Sequence, residues 1–289
     1  MATQYTNLQS REHIIKASKE FSLEKTITCG QTFRYEIRNG TYIYPFKNSI
    51  LELNQIDNKS IKVGVAGENI SIQEIKELLG LEHNIDDINR NILEKAPNLS
   101  HIIDEANGIR VMKNPPYEVA ISFIFSIQTS IPTIRKRLNM LAEMAGKSIE
   151  HKGEIYYAFP TSTELRKLAN KDLGLLHLGF RERFLKGFIE QYDEEFFEQL
   201  SNKSFDQKRD ALLRIKGVGE KVAQCILLFG FGELSAFPVD VWIERAMKEL
   251  FSVSKNARKV TEEGRRIFGE SAGYAQQYMY YFIRSFGHC

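Results

Sequence analysis

In the stretch FDQKRDALLRIKGVGEKVAQCILLFGFGELSAFPVDVW, residues 205 to 242, two side chains are placed to do covalent chemistry. Lys221 follows the turn Gly217-Val218-Gly219 and falls in the first turn of a helix whose apolar face is Val222, Ala223, Ile226 and Leu227. The positive end of a helix dipole disfavours an ammonium there, which favours a neutral, nucleophilic amine. Cys225, one turn further on, shares that helix face. Asp240 follows Phe237-Pro238-Val239 and precedes the helical spacing of VWIERAMKELF, the position of an N-cap. A carboxylate near such an amine also stabilises developing positive charge. Each residue has a plainer reading alone: Lys221 as a phosphate-contacting helix lysine, Asp240 as a structural cap, and the glycines as the end of an ordinary αα corner. Together they indicate attack by an amine assisted by a carboxylate, beside a turn whose amides suit a phosphate backbone.

The elements that must position these residues are a helix over Gln207 to Ile215, a tight turn at Lys216 to Gly219, and a second helix after it. Upstream, from about Phe21 to Gly67, the runs FRYEI, YIYPF, ILEL and IKVGVA are separated by turn residues such as Asn39-Gly40 and Asp57-Asn58. That pattern reads as antiparallel hairpins. Helical spacing begins at IQEIKELLGL and dominates from Ile85 onward. The expected fold is therefore α+β: an antiparallel sheet domain over residues 1–85, then a mostly helical domain over 86–289, with the helical hairpin at about 207–230 and a closing helix at about 271–285.

Composition narrows the function classes. Hydrophobic residues make up 43% and charged residues 26% of 289, which fits a folded globular chain rather than a disordered or fibrous one. No stretch approaches the ~20 apolar residues needed to span a bilayer, and the first twenty residues carry no signal-like apolar core, so a cytoplasmic location without membrane attachment is expected. Cys29, Cys225 and Cys289 lie far apart with no CxxC pair, which excludes a disulfide framework and a zinc or iron–sulfur cluster of that spacing. Net charge is only +2, so nucleic acid is permitted as a partner but not demanded. Basic residues cluster at Arg135-Lys136-Arg137, at Arg181, Arg183 and Lys186, and at Lys208, Arg209, Arg214, Lys216 and Lys221; solvated helix faces are their plain reading.

KGVGEK followed by PVD resembles the helix-hairpin-helix superfamily of DNA glycosylases, and within it the 8-oxoguanine DNA glycosylases. The resemblance runs from the early sheet to the last helix. It implies a bifunctional glycosylase and AP lyase of base excision repair, with Lys221 as nucleophile, Asp240 as its catalytic carboxylate, and Gly217, Val218 and Gly219 gripping the DNA backbone. CGQTFRY, residues 29 to 35, resembles a sheet-domain signature whose glycine, here Gly30, offers its carbonyl to the N7 hydrogen that only the oxidised base carries. AGYAQQYMYYF resembles the family's final pocket helix. It places Gln276 to read the Watson–Crick edge, and Tyr280 to stack on the extruded base with Cys225 on the other face.

FSIQTSIPTIRKR resembles the segment that fills the hole left by the base, with Gln128 where an asparagine is usual, and LGFRER places Phe180 in a tyrosine wedge position and keeps Arg181. Thr133 stands where relatives carry an arginine for the orphaned cytosine, so a relaxed preference for the opposite base is expected. Trp242 replaces a histidine near the phosphate. The resemblance implies duplex DNA containing 8-oxoguanine as partner, no metal or organic cofactor, no obligate protein partner, and a monomer. Two rival readings stand beside it. One is a noncatalytic hairpin module, which has no use for a paired amine and carboxylate. The other is a glycosylase for another damaged base, against whose iron–sulfur members the lack of a C-terminal cysteine cluster argues.

Overall fold

The structure is a computed structural model that describes residues 11–168, 170–253 and 256–287; the first ten residues and Cys289 lie outside them. Strands β1 (Arg11–Lys16), β2 (Glu36–Arg38), β3 (Thr41–Phe46), β4 (Ser49–Asp57) and β5 (Ser60–Gly67) form one antiparallel sheet in the order β1-β5-β4-β3-β2. The Asn39-Gly40 turn joins β2 to β3 with both residues at positive φ, +48° and +78°, the geometry whose twist matches a two-residue hairpin. Three details depart from the sequence expectation. β1 precedes the alternating runs, and a short helix, Leu23–Thr28, separates it from the rest. FRYEI is extended only from Glu36, because Phe33 turns away from the sheet to pack in the helical half.

Helices fill most of the chain beyond Ile72, interrupted by a small hairpin, β6 (Ser148–His151) and β7 (Glu154–Tyr157). This hairpin was not expected, since four-residue strands carry too few alternations to stand out among helical segments. It lies across the sheet, packing Ile149 and Tyr156 with Ile43, Ile50 and Ala66. The main apolar cores part between Leu81 and Ile85. They also trade residues. Cys29 and Phe33 from the sheet half sit in the helical core, and Met112 sits in the sheet core. Buried Arg34 reinforces the seam through an ion pair with Glu118 at 3.6 Å and a hydrogen bond to the Tyr157 carbonyl. Among the described residues no helix is long and apolar enough to cross a membrane, and no three His, Cys, Asp or Glu side chains assemble for a metal.

The last helix, Ala272–Phe286, is anchored by Tyr274, whose buried hydroxyl accepts from the Val111 amide at 3.2 Å and lies 2.7 Å from His83 Nδ1. A neutral imidazole with a bare Nδ1 accepts the hydroxyl's hydrogen bond there, which completes the Tyr274 hydroxyl as donor and acceptor. Burial, aided by the Arg110 and Lys113 charges, pushes His83 down to about 4 from the ordinary 6.5. Between those values the unfolded chain binds the proton and the folded chain resists it. Stability fully present above about pH 6.5 is therefore lost as pH falls toward 4, by up to about 3 kcal/mol. Melting curves of the wild type and His83→Gln at pH 7 and pH 5 check this: the wild type should lose more of its stability between them.

Candidate active site

The hairpin is built from a first helix, Phe205–Leu213, opened by a Ser204/Gln207 capping box, and a second, Glu220–Phe229. Gly217 turns the chain between them at φ +94°, and a Cβ there would lie 2.5 Å from the Phe184 ring. No other residue fits. The second helix starts at exposed Gly219, which has no capping side chain, so its first-turn amides stay available to an anion. Arg209 holds the two helices together through both oxygens of Glu220, at 2.6 and 3.0 Å. Lys208 is buried and paired with Glu233 at 2.5 Å. Two cations of the basic cluster therefore serve the hairpin itself, and neither is a free phosphate contact.

Lys221 is half-buried, with Nζ 4.8 Å from the centre of the Phe123 ring and 3.5 Å from Ser126 Oγ. Phe123 stacks in turn on Phe229 at 5.7 Å, which presses the helix Pro116–Phe125 against the second hairpin helix. Asp240 caps the helix Val241–Phe251, Oδ1 accepting from the Trp242 and Ile243 amides at 3.0 Å each. Gln224, wholly buried, fixes the spacing of these two residues. Its amide nitrogen donates to Glu220 at 2.8 Å and its oxygen accepts from the Phe237 amide at 3.0 Å, tying the first turn of the lysine's helix to the irregular segment that carries the aspartate.

Lys221 and Asp240 both line a narrow pocket of about 40 Å³ together with Gly30, Cys225, Gln276 and Tyr280. That space suits about a water molecule rather than a base. The Tyr280 ring occupies the rest: its hydroxyl and Cε1 come within 3.3 and 3.4 Å of where a Gly30 Cβ would stand. Arg284 holds that hydroxyl from one turn away, at 3.2 Å. Burial pushes the Cys225 thiol up to about 11, against the pull of nearby Lys221, so it offers a neutral, polarizable surface. The pocket opens into a groove of about 820 Å³ that Gly217, Gly219, Gln128 and the half-exposed Trp242 also line.

Residues 13–119 match the family of the 8-oxoguanine DNA glycosylase N-terminal domain. A probable N-glycosylase/DNA lyase of Methanothermobacter thermautotrophicus is 30% identical over 237 residues, 74% of this chain and 75% of that protein. The Arabidopsis thaliana N-glycosylase/DNA lyase OGG1 is 25% identical over 90% of this chain and 77% of its own length. In three dimensions the chain superposes on Clostridium acetobutylicum 8-oxoguanine glycosylase/lyase, solved with double-stranded DNA containing cytosine opposite 8-oxoguanine, with a TM-score of 0.87 at 33% identity, covering 96% of this chain and 97% of that one. This chain belongs to the 8-oxoguanine DNA glycosylase family.

In this family member Gln128 stands exposed at the groove, held at a left-handed φ of +48° that a side chain other than glycine adopts only under constraint. The constraint is Arg181. Its buried guanidinium donates to the Ile127, Gln128 and Leu178 carbonyls, the last two at 2.8 and 2.9 Å. Arg181 therefore lies beneath the loop and directs three of its N–H groups to backbone carbonyls. Phe180, 45% exposed, projects beside it and meets Phe184 edge-on at 6.0 Å, the same ring that packs on Gly217. Val218 is buried and lines neither cavity, so within the turn Gly217-Val218-Gly219 only the two glycines face the groove. Thr133 is engaged by Ser130 at 2.9 Å. Sequence reading missed Phe123, Ser126, Gln224, Gln277 and Arg284. Ser126 stands 95 residues from Lys221, and no local pattern could have joined them.

Proposed function

We propose that this family member excises 8-oxoguanine from duplex DNA and then cuts the strand at the resulting site, with a division of labour between its halves. Residues 1–85 supply the Gly30 carbonyl that selects the base, and residues 86–289 supply the chemistry and the DNA grip. The observation that carries the reading is the meeting of Lys221 and Asp240 with Gly30, Cys225, Gln276 and Tyr280 around one pocket at the floor of the groove.

The flipped base enters as Tyr280 withdraws from Gly30, and comes to lie between the tyrosine ring and the Cys225 thiol. Gln128 and Phe180 fill the gap in the stack, while the hairpin amides hold a backbone phosphate. The Lys221 Nζ lone pair bonds to C1′ as the glycosidic bond breaks, and the base leaves with the bonding pair. Asp240 stabilises the positive charge that develops on the sugar. Opening of the sugar ring gives an imine on Nζ, which acidifies the C2′ hydrogen; loss of that proton expels the 3′ phosphate. Thr133, short and already bonded to Ser130, gives the orphaned cytosine no bidentate partner, so the preference for cytosine opposite the lesion is relaxed.

Borohydride reduction during turnover traps the imine. A duplex with one 8-oxoguanine should yield a covalent adduct opposite each of the four bases, and undamaged guanine should yield none. A lack of adduct on the lesion refutes the assignment, and an adduct confined to cytosine refutes the relaxed pairing.

A further inference from the structure

The pocket's base-reading amide is itself held in one orientation by a buried chain of hydrogen bonds that begins beside Gly30. Gln31, almost wholly buried, receives the Met112 amide on its oxygen at 2.9 Å and donates to the Arg110 and Thr26 carbonyls at 2.7 and 3.0 Å. Its nitrogen also reaches Cys29 Sγ at 3.1 Å. The Cys29 thiol donates to Gln277 Oε1 at 3.3 Å, and Gln277 Nε2 donates to Gln276 Oε1 at 2.7 Å. All four side chains are buried, so water cannot substitute for a missing link without a rearrangement. The one thiol hydrogen of Cys29 has two acceptors in reach, Gln277 Oε1 at 3.3 Å and the Thr26 carbonyl at 3.4 Å, and the Thr26 carbonyl is already served by Gln31. Placed on Gln277, the hydrogen turns the Gln277 oxygen toward Cys29, and Gln277 Nε2 then sets which end of the Gln276 amide turns away from the cavity. Among the described residues, Gln276 Nε2 donates to no protein group.

We infer that Gln277 is a specificity-determining positioning residue: through the chain Cys29 to Gln277 to Gln276 it locks the reading amide so that the pocket accepts a 6-oxopurine and rejects a 6-aminopurine. This rests on the proposed function. With one lone pair of Oε1 taken by Gln277, Gln276 presents its N–H group and its second lone pair side by side. A 6-oxopurine offers O6 as acceptor beside N1–H as donor and matches both. A 6-aminopurine offers the reverse order, so donor would face donor and acceptor face acceptor. An amide free to turn over would match it equally well. Gln277 prevents the turn, because a reversed Gln276 would bring its own N–H group against that of Gln277.

The test compares single-turnover release from otherwise identical duplexes carrying one 8-oxoguanine or one 8-oxoadenine. In Gln277→Leu, of similar volume but without hydrogen bonds, the preference for 8-oxoguanine should fall at least about tenfold, through slower release of 8-oxoguanine and faster release of 8-oxoadenine. Cys29→Ala, which removes the donor at the start of the chain, should lower the preference in the same direction. Cys29→Ser, which retains a donor, should restore it toward the wild-type value. A merely structural role would slow both substrates together and leave the ratio unchanged. An unchanged ratio in Gln277→Leu, or equal ratios for Cys29→Ala and Cys29→Ser, overturns the inference. A wild-type protein that releases no 8-oxoguanine overturns the function itself, and is told apart by that result alone.

Discussion

Lys221→Gln is expected to abolish borohydride trapping and strand cutting on an 8-oxoguanine duplex, and to slow base release by roughly three orders of magnitude or more. Glutamine retains much of the length and a donor for Ser126 Oγ, and the position is only half-buried, so the fold should survive with a loss within about 1 kcal/mol. What it cannot do is form an imine. The size and kind of the effect separate the two roles open to a lysine at this place. A phosphate contact would weaken binding modestly, lower the salt dependence by about one charge, and leave the chemistry of bound DNA intact. A nucleophile leaves binding nearly intact and removes the adduct. Single-turnover rates at saturating enzyme, with a mobility assay for binding, distinguish them; a variant that still traps would remove Lys221 from the mechanism.

Asp240→Asn isolates charge from geometry in the same way. Asparagine is as good an N-cap as aspartate, and its carbonyl oxygen accepts from the Trp242 and Ile243 amides as Oδ1 does now, so the melting temperature should hardly move. The negative charge near the sugar is lost. Removing one such preorganised electrostatic partner typically costs about 10²–10³ in rate, and that is the loss expected here. If Asp240→Asn releases base at the wild-type rate while Asp240→Ala destabilises the fold, the residue is a cap and nothing more.

What the sequence made legible was local. The hairpin motif, with its glycine at positive φ and its lysine two residues on, is a contiguous pattern in which each residue type answers a backbone demand, and Gly30 and Asp240 are of the same kind. The hydrophobic periodicities likewise separate strands from helices, because burial on one face repeats at the period of the element. Partners distant in sequence were not legible. Lys208 and Arg209 look like members of a basic face, yet they are neutralised by Glu233 and Glu220. Arg181 looks like a DNA contact and turns its guanidinium to three carbonyls that no pattern announces. Gln277 sits beside the pocket-lining Gln276 with nothing in its spacing to mark it, and its place in the hydrogen-bond chain appears only when Cys29, 248 residues away, is seen to touch it.

The two cores trade side chains, Cys29 and Phe33 passing one way and Met112 the other. Phe33 lies edge-on to Phe123 at 5.4 Å, the ring on which Lys221 rests, so the sheet half reaches directly under the reactive amine. Gene shuffling that joined the first 85 residues to a helical half from a distant relative would need a matching socket for that ring and a matching partner for the thiol. The two halves are thus coupled by packing at the pocket, even though they lie on separate stretches of the chain.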